Sequence, residues 1–400
     1  MTDRSRRVAA GLLAAAQVPA AASLAYLLTL LAAARRRPPP PPAPGTPRVT
    51  VLIPAHDEGA GVRATVASVR ALDWPADRLD VLVIADNCTD DTAAQAAAAG
   101  ARVLERDAPD ARGKGRALAW AVERLTAAGA PPDAVVVVDA DCTAEPGLLR
   151  AFAARWAAGA EAVQARYIVA NPGAAPAAAA RAAAFALAAD VRPLGKDRLG
   201  LSCGLLGTGM GFTWAHLQRH PWSSFGLTED VERHLALVLA GERVVLASET
   251  AVHSAMPESL DGATSQQSRW EAGKLTLVRR WTPRLLAAGA RERDPVRVHA
   301  GLELVVPPQS LLALSAVAGV AVGSLARLRG PRRLALACAA AQAAFVTGGM
   351  LRMRAPAAAW RGLALAPALA LRKAAVVARI AAGRGPSSWE RTARDRRTPV

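Results

Sequence analysis

The sequence is poor in cysteine, lysine and aromatic residues. Its four cysteines are Cys88, Cys142, Cys203 and Cys338; none forms a C-x-x-C pair, and their spacings match no zinc framework. Reduced, unpaired thiols are therefore expected rather than a disulfide scaffold. There is no P-loop signature (GxxxxGK followed by Ser or Thr), and no GxGxxG follows the first predicted strand. These absences argue against a P-loop kinase and a dinucleotide-binding enzyme.

Positive charge and apolar residues are both abundant. Lysine and arginine number 49 and the acids 33, which gives a net charge of +16, and 52% of the residues are hydrophobic. Intrinsic disorder is excluded because it requires low hydrophobicity. No nucleic-acid partner is expected, because the chain is not hydrophilic and does not cluster basic with aromatic side chains. The positive mean hydropathy instead indicates membrane segments.

An uncharged run lies near the N-terminus. Residues 8–34 carry no charge and would span about 40 Å as a helix, enough to cross a bilayer with some tilt. Residues 1–35 are therefore predicted to be a transmembrane anchor. A signal peptide is the alternative, because basic MTDRSRR precedes the run and AAA stands before RRR. Residues 36–46, rich in Arg and Pro, are predicted to be a stiff linker.

Further apolar blocks lie near the C-terminus. The blocks at 302–325 and 334–350 are joined by a short ARLRGPRR turn, which predicts a transmembrane helical hairpin over 300–352. Residues 355–382 are apolar but carry four basic side chains, so they are either an in-plane amphipathic helix or a further span. The basic tail at 383–400 suits anionic headgroups, which makes membrane lipids expected partners.

The central segment, residues 47–290, alternates strand-like and helix-like runs. The strand-like runs are rich in Val and Ile and read RVTVLIPAH, LDVLVIAD, ARVLER and DAVVVVDAD. Such alternation predicts a parallel sheet with helices on both faces. Right-handed crossovers then place the carboxyl ends of the strands along one edge, where ligands bind.

Acidic residues stand at the ends of three of these strands. Asp57 and Glu58 follow the first, Asp86 ends the second, and Asp139 and Asp141 end the fourth. A single carboxylate of this kind is commonly a helix N-cap. Converging carboxylates repel each other unless a cation binds, so the D-A-D sequence suggests a divalent metal that bridges the acids to a phosphate-bearing ligand.

The ordered motifs VTVLIPAHDE, VLVIADNCTDDT, RGKGRALAWA, VVVDADC, LTED and QQSRW resemble those of family-2 inverting glycosyltransferases over about residues 49 to 275. The terminal apolar segments resemble the membrane-integrated branch, which includes cellulose, hyaluronan and poly-N-acetylglucosamine synthases. This resemblance implies an α/β fold of the GT-A type. Its catalytic domain would contain a Rossmann-like mixed, mostly parallel sheet and would be flanked by transmembrane helices.

The resemblance also assigns a donor pocket. Pro54, His56 and Glu58 would shape the uridine pocket of a UDP-sugar, and Asp86 would accept hydrogen bonds from the uracil ring. Lys114 would lie near the base or the diphosphate; the alternative is an exposed lysine at a helix start.

The metal would be Mg²⁺ or Mn²⁺, because the ligands are oxygens. Asp141 would contact it directly, and Asp139 would contact both ribose and metal. His253 is a candidate third ligand, for which a satisfied surface histidine is the alternative. Cys142 is expected to be only a small buried neighbour.

On the acceptor side, the resemblance makes Asp230 the general base and lets Glu229 orient the acceptor. A plain acidic helix start is the alternative for these two. Gln266, Arg269 and Trp270 form the Q-x-x-R-W motif, with Arg269 suited to the diphosphate and Trp270 to a sugar ring. An amphipathic helix at the membrane interface is the alternative for this motif.

Together these features predict a membrane-bound, metal-assisted inverting glycosyltransferase that moves a sugar from a UDP-sugar to a lipid-linked or polysaccharide acceptor. A single-addition enzyme acting on a glycolipid or polyprenyl phosphate, rather than a polymer synthase, stays open as an alternative. We expect a multi-pass protein with three spans in the bacterial inner membrane, with its catalytic domain in the cytoplasm.

Overall fold

Eight strands and fifteen α-helices form the part of the chain that a computed structural model describes. The described residues are 3–171, 175–255 and 260–384, without the side chains of residues 3 and 260–266. The strands are β1 (Val49–Ala55), β2 (Leu79–Asp86), β3 (Arg102–Arg106), β4 (Ala134–Val137), β5 (Cys142–Ala144), β6 (Ala162–Val169), β7 (Met210–Thr213) and β8 (Val244–Ser254). The helices are α1 (Asp3–Ala33), α2 (Val62–Arg70), α3 (Thr92–Ala98), α4 (Lys114–Ala127), α5 (Leu148–Ala157), α6 (Pro176–Ala186), α7 (Arg192–Arg198), α8 (Trp214–Arg219), α9 (Glu229–Leu239), α10 (Leu260–Glu292), α11 (Pro295–Leu304), α12 (Gln309–Leu325), α13 (Arg329–Arg352), α14 (Ala357–Gly362) and α15 (Ala366–Ala381).

These elements divide between a sheet unit, residues 36–171 and 196–304, and a helical unit, residues 3–35, 175–195 and 305–384. All eight strands belong to one sheet in the order β3-β2-β1-β4-β7-β6-β8-β5. Four neighbouring pairs are parallel and three are antiparallel. The predicted α/β fold with a mixed, mostly parallel sheet is therefore confirmed.

The central strands are apolar on both faces because helices cover both faces. Val51 and Ile53 of β1 pack in one buried cluster with α2, α3 and α5. Leu52, between them, points to the opposite face, where α4 contacts β1 and β2. Each such side chain contributes about 1.5–3 kcal/mol by leaving water, which is why these strands lack the polar alternation of half-exposed strands.

The helical unit packs its helices through small residues. Helix α13 contacts α1 and α12 along its length. A β-carbon at Gly319 of α12 would lie 2.9 Å from Ala335, and one at Gly348 of α13 would lie 2.8 Å from Leu31. Small residues at such positions let apolar helices approach closely, as in membrane helix bundles.

Two helices in the described part of the chain are long and apolar enough to cross a membrane. They are α1, over Arg4–Ala33, and α13. The pair α11 and α12 provides a third candidate only if it is counted as one broken span. The predicted apolar block at 302–325 is interrupted because Pro307 and Pro308 cannot continue a helix, so α11 ends at Leu304 and α12 begins after the prolines.

The domain boundaries also differ from those predicted at 47–290 and 355–382. Residues 175–195 belong to the helical unit, because the alanine-rich helix α6 packs against α14. The sheet unit continues beyond residue 290 through α11. The segment 355–382, predicted to be one amphipathic helix or a further span, is broken into α14, a short 3-10 turn and α15. Of the basic tail, residues 385–400 lie outside the described residues.

The sheet leaves no room for a side chain at Gly211 of β7, because a methyl group there would overlap the ring of Phe152 on α5. We expect Gly211→Ala to destabilise the protein by about 1–3 kcal/mol, as overpacking of a filled core does. Gly61→Ala is the matched control, since Gly61 has helical φ and ψ and open space around it. Thermal unfolding of the detergent-solubilised full chain checks this; equal melting temperatures for the two variants would contradict it.

Candidate active site

The predicted acidic clusters follow three neighbouring parallel strands. Strand β1 pairs with β2 on one side and with β4 on the other, both in parallel. Their carboxyl ends therefore lie along the same edge of the sheet. The last residue pair between β1 and β4 joins Leu52 to Val137, and Pro54 lies beyond it in β1. The N–H that proline lacks is therefore not missing from the hydrogen bonds between β1 and β4.

Asp86 is held by hydrogen bonds from several segments at the end of β2. The guanidinium of Arg106, at the end of β3, lies 2.5 Å from Asp86 Oδ1, and both side chains are 9% exposed. Asn87 Nδ2 donates to the same oxygen at 2.9 Å. His56 Nδ1 lies 2.7 Å from the carbonyl oxygen of Asp86. A carbonyl can only accept, so His56 carries its proton on Nδ1.

Hydrogen bonds to neighbouring residues hold the loop after β1 in place. Asp57 adopts a left-handed φ of 52°, a conformation that Asn and Asp tolerate better than most residues. Its carboxylate accepts a hydrogen bond from the N–H of Thr89 at 2.6 Å. Burial is the largest influence and would raise the pKa of Asp57, but this bond, the neighbouring His56 and the Thr89 hydroxyl together outweigh burial and lower the pKa. The N–H of Glu58 donates to the buried hydroxyl of Thr92 at 2.8 Å.

The carboxylates of Asp139 and Asp141, which form the D-x-D motif (D-A-D in this sequence), lie directly after β4. Potential ligand atoms of Asp139, Asp141 and Cys142 lie within 4.8 Å of one another. Burial raises the pKa of the Cys142 thiol well above its ordinary value, and the two aspartates add to this, so the thiol stays protonated. The available donors are therefore carboxylate oxygens, which fit Mg²⁺ or Mn²⁺.

Lys114 connects the D-x-D to the start of α9. Its ammonium group pairs with Asp139, lies 3.8 Å from Glu229, and donates to the carbonyl oxygen of Gly207 at 2.7 Å. Burial would lower the pKa of Lys114, but Asp139, Glu229 and Asp230 outweigh burial and raise it. The ammonium is therefore a permanently charged counter-ion for these acids, and not an exposed group at a helix start.

Glu229 and Asp230 begin α9 and face the same point as Lys114. A β-carbon at Gly207 would lie 3.4 Å from both Asp230 Oδ2 and Lys114 Nζ, and 3.9 Å from Asp139 Oδ2. The absence of a side chain at Gly207 thus leaves room where three charged groups converge. The Thr228 side chain makes no capping hydrogen bond.

The two acids of α9 have raised pKa values. Burial, followed by the neighbouring Asp230, raises the pKa of Glu229 to about 7. Burial also raises the pKa of Asp230, while Lys114 opposes the rise. Glu229 is therefore the group at the start of α9 that can exchange a proton near neutral pH.

Close backbone packing fixes the segment that carries these acids. A methyl group at Gly115 of α4 would overlap the carbonyl oxygen of Ser224. A β-carbon at Gly273 of α10 would lie 2.7 Å from Thr228 Oγ1. Helices α4 and α10 therefore both press on the residues that precede Glu229.

The Q-x-x-R-W motif lies in the first half of α10. Arg269 is one turn before Gly273 and on the same helix face, which the Gly273 contact directs toward Thr228. Arg269 is half-buried, and Trp270 is 36% exposed. The side chain of Gln266 lies outside the described residues.

His253 is engaged at the strand edge formed by β5 and β8. It pairs with Thr143 in that ladder, and its Nε2 lies 3.0 Å from Glu145 Oε1. The second carboxylate oxygen of Glu145 accepts from the N–H of Ala251 at 2.9 Å. The His253 ring is thus held by Glu145, while the ligand cluster at the D-x-D comprises Asp139, Asp141 and Cys142.

Sequence reasoning missed two residues that position the site, Arg106 and Gln164. Gln164 is fully buried in β6; its Nε2 donates to the carbonyl oxygen of Thr208 at 2.8 Å, and its Oε1 accepts from the N–H of Leu206 at 3.0 Å. Thr208 in turn accepts from the N–H of Asp139 through Oγ1 at 3.1 Å. The available sequence signal was a lone amide within the apolar strand AVQARYIV.

Residues 47–273, more than half of the chain, match the model of a protein family described as "Glycosyltransferase like family 2". Two curated proteins are similar over shorter segments. The cellulose synthase 1 catalytic subunit [UDP-forming] of Komagataeibacter xylinus is 34% identical over 97 residues, which is 24% of this chain and 12% of that protein. The probable glycosyltransferase YdaM of Bacillus subtilis (strain 168) is 46% identical over 46 residues, 12% of this chain and 11% of that protein. The matched segments thus span only 12% and 11% of these relatives' lengths.

A solved structure is similar over most of the chain. It is the mannosyltransferase PcManGT from Pyrobaculum calidifontis in complex with GDP-Man and Mn²⁺. The match has a TM-score of 0.58 and 20% sequence identity, and it covers 87% of this chain and 98% of that one. At this identity the likeness shows a shared fold.

The structure predicts that Gln164 stabilises the glycine-rich loop at 204–209. Gln164→Leu keeps the volume but leaves the N–H of Leu206 and the carbonyl of Thr208 without their partner, at a cost of about 1–3 kcal/mol. We expect a lower melting temperature and faster proteolysis in this loop. The control is Gln218→Leu, on an exposed position of α8. Equal proteolysis of both variants would show that Gln164 does not hold the loop.

Proposed function

Because the chain belongs to glycosyltransferase family 2, we propose that it is a membrane-bound inverting enzyme that moves a sugar from a UDP-sugar to a lipid-linked or polysaccharide acceptor. Glycosyltransferases of this family take their sugar from a nucleotide-sugar donor. The observation that carries the proposal is the convergence of Asp139, Lys114 and Asp230 around the bare α-carbon of Gly207.

The donor base is proposed to bind between the ends of β1 and β2. Asp86 would accept a hydrogen bond from the uracil ring, since a carboxylate offers only acceptors. Arg106 and Asn87 hold that carboxylate in place, so little ordering is needed when the base arrives. Pro54, His56 and Glu58 would form the walls of the pocket.

The donor diphosphate is proposed to lie at the D-x-D. Asp139 and Asp141 would hold Mg²⁺ or Mn²⁺, which when bound neutralises the charge on the departing diphosphate. Lys114 already contacts Asp139, so its ammonium can donate to a diphosphate oxygen without leaving this cluster. The complex of PcManGT with GDP-Man and Mn²⁺ supports the same class of ligand on this fold.

Asp230 is proposed as the general base. In an inverting transfer the acceptor oxygen attacks the anomeric carbon as the bond to the diphosphate breaks, and the acceptor hydroxyl loses its proton to one carboxylate. Burial raises the pKa of Asp230, and the neighbouring Lys114 opposes the rise. Glu229 would orient the acceptor hydroxyl from the neighbouring position.

The acceptor is proposed to approach along α10. Arg269 would bind diphosphate oxygens as a bidentate donor, and the partly exposed face of Trp270 would stack on a sugar ring. Gln266 would complete this motif. The contact of Gly273 with Thr228 supports the assignment, because it directs this helix face toward the base.

The location is proposed to be the bacterial inner membrane, with several passes and with the sheet unit in the cytoplasm. The candidate spans α1 and α13 and the similarity to a cellulose synthase subunit support membrane association. The four cysteines are unpaired, which suits a reducing compartment. We favour short or single additions over long polymers, because few spans are available to enclose a channel in the described part of the chain.

The assignment of the base predicts a selective loss of turnover. Asp230→Asn should lower kcat by about 100- to 10,000-fold while leaving donor binding unchanged, since only proton removal is lost. Nucleotide release by the detergent-solubilised chain, with a membrane lipid extract as acceptor, measures this. Asp77→Asn serves as the control, because this exposed carboxylate precedes β2, at the opposite edge of the sheet. Full turnover by Asp230→Asn would exclude it as the base.

The donor assignment predicts that UDP, and not GDP, raises the melting temperature of the full chain. Mn²⁺ should increase this rise in melting temperature in wild type but not in Asp141→Asn. That variant retains the pocket for the uracil ring and loses a metal ligand. Stabilisation by GDP alone would overturn the UDP assignment.

The number of sugars added to each acceptor distinguishes the two kinds of enzyme. When the chain is supplied with the sugar donor of the stabilising nucleotide, one sugar per acceptor supports single addition, whereas a ladder of products supports a polymer synthase.

A further inference from the structure

A second cluster of potential ligands lies away from the active site. His216 lies within α8, His220 lies one helical turn later just after the helix ends, and Glu242 lies in the turn between α9 and β8. Nitrogen and oxygen atoms of these three side chains lie within 4.8 Å of one another.

This cluster is on the far edge of the sheet from the D-x-D. Strand β7 runs antiparallel to β4, with Met210 beside Val137 and Thr213 beside Ala134. The chain therefore leaves β7 at the edge where β4 begins, and α8 starts there. No residue of the proposed donor or acceptor pocket belongs to this cluster.

His216 is the feature that calls for a ligand. Its side chain is completely buried, and neither ring nitrogen has a hydrogen-bond partner among the described residues. The ring is stacked on Phe212, with centroids 5.8 Å apart. An imidazole that is buried without a partner costs free energy, which coordination of a metal by a ring nitrogen would offset.

The spacing of the donor atoms is close to that of a coordination shell. His220 Nε2 lies 3.0 Å from Glu242 Oε1, and His216 Nδ1 lies 3.6 Å from Glu161 Oε2. Metal–ligand bonds of about 2.0–2.2 Å in a tetrahedron separate neighbouring ligand atoms by about 3.3 Å. The two observed distances lie on either side of that separation.

The charges also allow a divalent ion. Arg219 pairs with Glu161 and lies 3.9 Å from Glu242, and it is 49% exposed, so it can turn to solvent when an ion replaces it. Two neutral imidazoles with two glutamates then balance the two positive charges of the ion. The nearby Arg233 is directed to the Trp222 ring, 4.5 Å away, and to the carbonyl oxygen of His220.

We propose that His216, His220 and Glu242 form a structural zinc site, with Glu161 or water in the fourth position. Imidazole ligands favour Zn²⁺ over Mg²⁺, in contrast to the oxygen ligands of the D-x-D. The site ties the end of α8 to the end of α9. It thereby anchors the segment 221–228 that leads from His220 to the acids at the start of α9.

The test uses the full chain in detergent, stripped of metal and kept in excess Mg²⁺ to saturate oxygen-ligand sites. We expect one Co²⁺ per chain with the intense visible absorption of tetrahedral coordination, its displacement by Zn²⁺, and a rise in melting temperature with Zn²⁺. His220→Ala and Glu242→Gln should each weaken Zn²⁺ binding by about 100-fold or more, since even indirect changes around a metal cost about 10- to 100-fold.

The matched control is His299→Asn, a histidine of α11 outside the cluster, which should retain the absorption and the affinity. Glu242→Gln is nearly isosteric, so it decides the matter if His220→Ala folds poorly. The proposal is overturned if wild type binds no stoichiometric Co²⁺, or if Glu242→Gln retains the wild-type spectrum and stoichiometry.

Discussion

Lys114 places one ammonium group among carboxylates that come from separate segments of the chain. Asp139 follows β4, and Glu229 and Asp230 begin α9; without a cation between them their mutual repulsion would oppose the approach of these two segments. The same ammonium bonds the carbonyl oxygen of Gly207, which keeps the glycine-rich loop beside the acids. This one charge therefore links the segments of the site, but the carboxylates of Asp139, Glu229 and Asp230 outnumber it, which leaves negative charge for a divalent metal to neutralise.

Backbone positions without side chains set how closely the elements meet. Gly115 lets α4 approach the carbonyl of Ser224, and Gly273 lets α10 approach Thr228. A methyl group at either position would push a helix away from the segment that leads into Glu229 and Asp230. Gln164 also helps to position the site. Its side-chain amide holds the glycine-rich loop, and Asp139 contacts that loop through Thr208. Catalytic geometry of this kind is supported by many ordinary contacts.

The two units differ in what stabilises them. The sheet unit buries continuous Val and Ile strands between helices, and it also buries charged side chains, both at the site (Asp86) and away from it (Arg155, Arg297). The helical unit relies on small residues such as Gly319 and Gly348, which suit helices surrounded by lipid. If the proposed zinc site forms, the sheet unit has one metal at each edge, an oxygen-ligand site for the reaction and a histidine site for structure.

The sequence by itself determined the order of the first strands and helices, the mixed α/β fold and the family, because these follow from local periodicity and from short ordered motifs. It also placed the acids at the strand ends. Only the tertiary structure decided which groups meet: Asp139 contacts Thr208 and Lys114 contacts Gly207 across 69 and 93 positions of sequence. Those contacts follow from β7 running antiparallel between β4 and β6, and that reversal depends on long-range strand pairing rather than on any local pattern.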